Sequence, residues 1–453
     1  MNAKLFRYSL IGIFISILIA TIAALLIWKV PRQKTDERDM LRLFKEVTSI
    51  IKTQYVEEVD GKKLMQSAIN GMLSSLDPHS TYMPSDSFKE MKVQMSGAFG
   101  GLGIEISIKD NKLTVISPIE DTPAWRAGIK SNDHIWKIND KQTRGMSITD
   151  AVSRMRGEKG TSVTLSIMRE GSEKPLVFPL VRDIIQTRSL KSRSLESGIV
   201  YIRIAHFQET TGAEFLNSLN TLREKAGGTL KGLVIDLRNN PGGLLSQAVE
   251  VANHFIGEGL SDGLVVYTEG REPSSRMKLS TKIGDKEPHY PIVVLVNGGS
   301  ASASEILAGA LQDHRRAVIM GTQTFGKGSV QSVIPLKDNA GLKLTTARYY
   351  TPKGRSIQAK GITPDIIVNR IALPDAPKKP EERLRENDLE GRLLPKTGPQ
   401  SPAIDKVPLQ KSIKPPNMPS DPLAEELKKD YQLSRALELL RGIELMGTRQ
   451  IGK

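Results

Sequence analysis

Apolar residues fall along this chain in several rhythms, and each predicts a different kind of element. Ser9 to Trp28 is a run of about 20 residues without a charge; at about 1.5 Å per helical residue it spans roughly 30 Å, the depth of a bilayer core. The apolar part of a cleaved signal is shorter, about 7–15 residues, and usually ends at a small-x-small site. Here the run ends in Leu25-Leu26-Ile27-Trp28-Lys29, with Trp28 suited to the interface. The pattern predicts an uncleaved signal anchor over residues 9–28 behind a stub of residues 1–8. Lys4 and Arg7 precede it while Lys29, Arg32, Lys34 and Arg38 follow, so flanking charge alone leaves the orientation open.

From Thr35 to Met95 the spacing becomes helical: Leu41, Phe44, Val47, Ile50 and Ile51, then Leu64, Ala68, Met72 and Leu73, recur at i, i+3, i+4. Asp77-Pro78-His79-Ser80 reads as the turn that closes the second helix. Strict alternation begins at Ile104, Ile106 and Ile108, after the glycine-rich Gly97-Ala98-Phe99-Gly100-Gly101-Leu102-Gly103. A glycine loop that enters a strand rather than a helix argues against dinucleotide binding. A helix near Ile148 to Met155 and a strand from Ser162 to Arg169 follow. Leu230 to Leu237 and Pro291 to Val296 are continuous apolar runs, the signature of buried strands. Asp375 to Pro422 is rich in Pro, Lys and Glu without periodicity, which predicts a flexible linker over 371–420. The last segment, 421–453, carries Leu423, Leu427, Tyr431, Ala436, Leu437, Leu440 and Ile443 on one helical face. That face must be buried somewhere, on the N-terminal helices or on those of a second subunit.

Composition narrows the chemistry. A chain of 453 residues has room for two or three domains, and 39% hydrophobic with 25% charged residues is ordinary for a globular protein. The net charge of +14 is spread along the chain with no basic run interleaved with aromatics, so nucleic acid is not an expected partner. Cysteine is absent, which excludes disulfides, thiolate metal sites and cysteine nucleophiles. No metal or cofactor site is expected.

The densest chemistry lies in Gly299-Ser300-Ala301-Ser302-Ala303-Ser304-Glu305-Ile306 and Thr324-Phe325-Gly326-Lys327-Gly328-Ser329-Val330-Gln331. The serines sit between a predicted strand and a helix, Glu305 to Leu311, where free N–H groups at the helix start can bind developing negative charge. A serine hydroxyl needs a base. The six histidines show no triad spacing, whereas Lys327 stands between two glycines that permit close backbone approach and burial. Burial lowers a lysine pKa and frees it to accept a proton. On a strand Lys327, Ser329 and Gln331 would share a face, and the Gln331 amide oxygen would hold the amine. Gly321 to Gly328 nearly spells a phosphate-binding loop, but Gly328 occupies the place of the Mg²⁺-binding hydroxyl and a strand follows, so nucleotide binding is rejected.

These two pieces, at this separation, resemble the catalytic core of the C-terminal processing peptidases, the tail-specific proteases, which use a Ser–Lys dyad. The resemblance covers residues 36–370 and again about 420–445. It implies an α/β (α+β) fold with a ClpP/crotonase-like protease core, an inserted PDZ domain, an N-terminal membrane anchor and a C-terminal helix. It names Ser302 as nucleophile, Lys327 as base and Gln331 as orienting partner. Asp236-Leu237-Arg238-Asn239-Asn240-Pro241-Gly242-Gly243 matches the motif whose glycine N–H, from Gly242 or Gly243, forms one half of the oxyanion hole; Ala303 N–H forms the other. Asp313 matches a family position expected to be structural, as is the Asp77 turn. The loop Gly101-Leu102-Gly103-Ile104 resembles the carboxylate-binding loop of a PDZ domain, where N–H groups capture a peptide C-terminus while the peptide adds a strand. Asn132 stands where that family commonly has Gly, a position asparagine tolerates. The domain boundaries follow: 36–94 the helical N-terminal part, 95–183 PDZ, 184–370 protease core. Arg156 is the expected relay from PDZ to core.

The implied partners are protein substrates with free apolar C-termini and the membrane; a homodimer and an activating adaptor protein are both open. The implied location is the bacterial inner membrane, single pass, with the catalytic part on the periplasmic side. The rival reading is a non-catalytic PDZ scaffold on a protease fold, whose mark would be loss of Ser302 or Lys327, and both are present. An acyl-transfer enzyme acting on thioesters would need an adenine and pantetheine site, for which no motif is visible.

Overall fold

The computed structural model describes residues 37–172, 174–196, 198–257, 261–284, 286–369, 385–393, 423, 427 and 429–451. The anchor expected over 9–28 lies outside them, as does most of the 371–420 stretch. Among the described residues no helix is long and apolar enough to cross a membrane. The chain divides into two compact units, residues 1–71 and 72–453. In the first, the 3.6-residue period of Leu41, Phe44, Val47 and Ile50 is realised as the helix Glu37–Gln54, none of whose residues is buried. A second helix, Gly61–Ser74, begins there.

In the second unit β1 (Thr81–Met83) and the helix Ser85–Ser96 lead to Gly97, whose φ of 68° ends that helix in the left-handed conformation. Then come β2 (Ala98–Gly101), β3 (Ile104–Lys109), β4 (Lys112–Pro118), β5 (His134–Ile138), β6 (Lys141–Gln142), β7 (Ser162–Met168), β8 (Leu176–Val181) and β9 (Asp183–Gln186). One sheet runs β3-β4-β5-β7-β8 with β6 on β5, so β3 is an edge. The helix Ile148–Met155 contributes Ala151 and Met155 to a core with Val115, Ile135, Leu165 and Ile167. Asn132 adopts φ 66°, the left-handed backbone that glycine would otherwise supply. β2 and β9 pair antiparallel, Ala98 with Gln186 and Gly101 with Asp183, so entry to and exit from this domain are zipped together.

The remaining strands are β10 (Leu190–Glu196), β11 (Ile199–Ile204), β12 (Gly232–Asp236), β13 (Leu264–Gly270), β14 (Lys278–Ser280), β15 (Ile292–Val296), β16 (Val318–Gly321), β17 (Ser329–Pro335), β18 (Gly341–Tyr350) and β19 (Ile366–Ile367). The main sheet is ordered β10-β11-β12-β15-β16-β19, parallel from β11 onward. A strand in such a sheet is covered on both faces, which is why β12 and β15 read as unbroken apolar runs. Leu233, Ile235, Ile292, Val294 and Val296 face one core, with Phe215, Leu219, Ile306 and Leu307 from the helices Thr211–Lys225 and Ala303–Asp313. Val234, Val293 and Leu295 face the other, against Leu433, Ala436, Leu437 and Leu440 of the helix Tyr431–Ile451. The C-terminal helix therefore docks on the back of the main sheet of its own chain, a third answer beside the two the sequence left open. β17 and β18 belong to a second sheet, ordered β1-β18-β13-β14.

Within the stretch expected to be a flexible linker, residues 385–393 are described and make a 3-10 turn, Glu386–Asp388, with Glu386 fully buried.

Candidate active site

β15 ends at Val296 and the helix Ala303–Asp313 begins seven residues later, so the chain must reverse within Asn297–Ser302. Asn297 organises that turn: its Oδ1 accepts from Gly299 N at 2.9 Å and from Asn239 N at 3.0 Å, and its Nδ2 donates to Asn239 Oδ1 at 3.1 Å. The turn is thereby tied to the loop after β12.

Ser300, Ser302 and Ser304 part company here. Ser300 Oγ donates to Leu237 O at 2.8 Å and Ser304 Oγ to Asn240 O at 3.0 Å, and both residues are fully buried. Ser302 is half-buried and holds φ 54°, ψ −115°, a backbone that an L-residue adopts at a cost of about 1–3 kcal/mol. Such strain is characteristic of a nucleophile at a strand-to-helix elbow.

The second piece is anchored residue by residue. Phe325 N donates to Ser300 O at 3.0 Å, Gly326 N to Glu305 Oε1 at 2.7 Å, Lys327 N to Glu305 Oε2 at 2.9 Å and Gly328 N to Gln358 Oε1 at 3.0 Å. A Cβ on Gly328 would lie 2.3 Å from Gln358 N, so the glycine flank permits the close approach that buries this loop. Glu305 is the joint between the two pieces. Fully buried, it also accepts from Ser302 N at 2.9 Å and Thr324 Oγ1 at 2.5 Å. Burial pushes its carboxyl up to about 7, against the four donors, each of which pulls it down. Burial pulls the Lys327 amine down to about 8; the like charge of Lys343 adds to this, while Glu386, Glu305 and Asp77 oppose it.

Gln331 lies on β17, but Lys327 lies in the loop before it, and a bulge between Val330 and Gln331 breaks the alternation. The Gln331 amide nitrogen donates to Ser329 Oγ at 2.8 Å, and among the described residues no hydrogen bond joins Gln331 to the Lys327 amine. Of the glycines after β12, Gly242 presses on the turn that carries Ser302: a Cβ there would lie 2.8 Å from Ser302 Cβ. Its N–H already donates to Asn240 Oδ1 at 2.9 Å. Among the described residues the N–H groups of Gly243 and Ala303 meet no protein acceptor.

Of the histidines, the His79 ring meets Glu386, His134 meets Leu113 O and His314 meets Leu264 O. Asp313 accepts from Lys353 N at 2.9 Å and from Arg355 at 2.5 Å, a structural role. No group of His, Asp or Glu suited to a metal ion occurs among the described residues.

In the PDZ-like domain Gly101 is the last residue of β2, while Leu102 and Gly103 lie between β2 and β3, their N–H groups without a protein acceptor among the described residues. Ile104 opens the edge strand β3. A Cβ on Gly103, at φ 76°, would lie 2.3 Å from the Thr122 side chain. Arg156 caps the helix Ile148–Met155 and places its guanidinium 4.7 Å from the centre of the Phe99 ring, on β2.

Two clusters escaped the sequence. Glu305 had a legible signal, because Ser-x-x-Glu before an apolar run is a capping-box pattern. Arg238 had none: it bridges Asp236 at 2.6 Å and Asp430 at 2.7 Å, so the segment entering the C-terminal helix grips the residue just before the glycine loop.

Comparison with known proteins gives the family. The chain matches peptidase family S41 over residues 198–368, the PDZ domain family over 100–178 and the activating protease CtpB N-terminal domain over 24–87. It is 47% identical over 403 residues to the carboxy-terminal-processing protease of Bartonella bacilliformis, covering 89% of this chain and 88% of that one. It is 38% identical over 331 residues to the carboxy-terminal processing protease CtpA of Bacillus subtilis, covering 73% and 68%. Among solved structures it is similar to a photosystem II D1 C-terminal processing protease: 28% identity, 72% of this chain and 92% of that one, TM-score 0.41. The chain belongs to peptidase family S41, as a serine protease of the carboxy-terminal processing type that carries a PDZ domain.

Proposed function

We propose that this protease binds the free apolar C-terminus of a protein substrate in its PDZ domain and cleaves the chain with Ser302 and Lys327. The observation that carries the residue assignment is the selection among the three serines: only Ser302 combines a strained elbow with a backbone N–H tied, through Glu305, to the lysine loop. In this reading the neutral Lys327 amine takes the proton of Ser302 Oγ as the oxygen attacks the scissile carbonyl carbon. The carbonyl oxygen becomes an oxyanion held by the N–H groups of Gly243 and Ala303. The lysine ammonium then gives its proton to the departing amine, and water repeats the sequence on the acyl-enzyme. The Gln331 amide oxygen accepts no protein donor among the described residues, which leaves it to orient the ammonium. The ClpP/crotonase-like description of the core belongs to the same reading, supported by the parallel sheet with helices on its face.

The edge position of β3 and the N–H groups of Leu102 and Gly103 support capture of a carboxylate by strand addition, with Gly101 and Ile104 flanking them. Arg156, stacked on Phe99 of β2 where the chain enters the PDZ domain, is the proposed relay. Amidating the C-terminus of a substrate should lower turnover, because it removes the charge these groups bind, and should leave the chemical step on the acyl-enzyme unchanged. Equal cleavage of free and amidated substrates would remove the PDZ domain from recognition.

Location is a further part of the proposal: an anchor over residues 9–28 in a bacterial inner membrane, with the catalytic part outside. The uncharged run supports it, together with the location that the family resemblance implies. Protease added to intact spheroplasts should digest residues 36–453, and full protection would refute this topology. The exposed apolar residues Leu41, Phe44 and Val47 of the helix Glu37–Gln54 support a further protein contact, with a second copy or an activating adaptor.

A further inference from the structure

One buried cluster beside the lysine loop has no part in the mechanism above. Glu386, in the described strap 385–393, is fully buried, and three elements distant in sequence converge on it. His79 Nε2 lies 2.8 and 2.7 Å from its two carboxylate oxygens, and Gln358 Nε2 donates to Oε1 at 2.9 Å. Gln358 turns its own Oε1 to Gly328 N at 3.0 Å, and Glu386 N donates to Phe325 O at 3.3 Å. The peptide groups flanking Lys327 are therefore held from one side by Glu305 and from the other by the strap, directly at Phe325 and through Gln358 at Gly328. His79 is itself fixed from behind, since Asp77 Oδ1 accepts from His79 N at 2.8 Å and from Ser80 N at 2.9 Å.

An isolated buried carboxylate is costly, so it persists where donors and charges are arranged to meet it. Here those partners come from the helix-closing turn at 77–80 and from the 357–361 segment that contacts both glycines flanking Lys327. We propose that Glu386 is a positioning residue for proteolysis: the strap carries a buried carboxylate that, through Gln358 and Phe325, fixes the loop presenting Lys327 to Ser302. The inference rests on Lys327 being the base. It also gives the Asp77-Pro78-His79-Ser80 turn a purpose, which is to hold the other end of the strap's carboxylate.

Two consequences separate positioning from mere fastening. A loop released by a fraction of an ångström misaligns proton transfer without touching the PDZ domain, so kcat should fall while KM holds. Second, the charged groups facing the Lys327 amine are Lys343, Glu305, Asp77 and Glu386, and the negative charge of Glu386 favours the ammonium. Removing that charge should move the rising limb of the pH–kcat profile to lower pH.

The test is Glu386→Gln in the full chain, with Asn387→Ala at an exposed strap position as control and Lys327→Ala as reference. We expect kcat to fall roughly 10- to 100-fold in Glu386→Gln, with KM within about threefold and the limb displaced downward. The control should match the wild type. Should Glu386→Gln not unfold cooperatively, His79→Gln supplies the second arm: it removes one partner and leaves Gln358 on the carboxylate, so a smaller loss of kcat at constant KM is expected. Unchanged kcat and an unmoved limb, with Lys327→Ala inactive, would overturn the strap proposal and spare the dyad. A loss of kcat with no displacement of the limb would reduce the strap to a fastener and equally overturn it. An active Lys327→Ala enzyme would instead remove the reading on which the proposal rests.

Discussion

Replacing Ser302 with Ala or Lys327 with Arg should each abolish proteolysis, with kcat falling at least about 1,000-fold and the double variant no worse than either single one. The non-additivity is the informative part, because nucleophile and base act as one unit. Arginine keeps the charge and much of the length of lysine, but its guanidinium stays protonated and cannot accept the serine proton. In the wild type, activity should rise with pH through about 8, as the buried amine becomes neutral. Relieving the like charge by Lys343→Met should move that limb upward, since Lys343 is among the groups that depress the amine. Ser300→Ala and Ser304→Ala belong in the same assay. Both should cleave substrate yet unfold more easily: each loses a buried hydroxyl–carbonyl hydrogen bond, about 0.5–1.5 kcal/mol, and Ser300→Ala also strands the Asn297 N–H that donates to Ser300 Oγ. A Ser302→Ala or Lys327→Arg enzyme that still turns over would end the dyad assignment.

What could be read from the chain beforehand was whatever local chemistry dictates. The unbroken apolar runs became β12 and β15, the alternation at Ile104 became β3, and the helix expected at Ile148 to Met155 has those bounds. The glycine flanks of Lys327 do admit close backbone approach. The failures are all matters of tertiary placement. Shared-face reasoning for Lys327 and Gln331 assumed a regular strand, but the strand begins after Lys327 and is bulged at Gln331. Two glycines were offered for one oxyanion donor, and only the side chain of Asn240, folded back on Gly242 N, distinguishes them. The apolar stripe of the C-terminal helix was legible, but the surface it covers was not, because a stripe states how much must be buried and not against what. Glu386 sits in a stretch whose composition reads as linker, and its burial depends on His79 and Gln358, hundreds and tens of residues away in sequence.

Glu305→Gln should damage catalysis severely, but less than loss of the base, although Glu305 takes no part in the proposed proton transfer. Its Oε1 accepts from Thr324 Oγ1 and Gly326 N, and its Oε2 from Ser302 N and Lys327 N. A carboxylate accepts at both oxygens, whereas an amide has one oxygen and one NH₂. Either orientation of Gln turns the NH₂ on a pair of donors, each stranded donor costing roughly 1–3 kcal/mol. The turn carrying Ser302 and the loop carrying Lys327 then lose their common anchor, and kcat should fall on the order of 100-fold. The same substitution has a pH signature in stability. Burial raises the Glu305 carboxyl from 4.5 to about 7, so the folded state holds this proton more tightly than the unfolded chain. Its contribution is full below about 4.5 and is lost as pH rises through about 7, an amount of about 3 kcal/mol. Gln cannot titrate, so the variant lacks that decline. Its stability deficit should therefore be largest at about pH 5 and should shrink toward about pH 8. Urea unfolding of both proteins at these two pH values reads the difference directly. Stability curves that stay parallel across the range would show that Glu305 does not titrate there, and that burial does not outweigh the four hydrogen bonds that favour its anion.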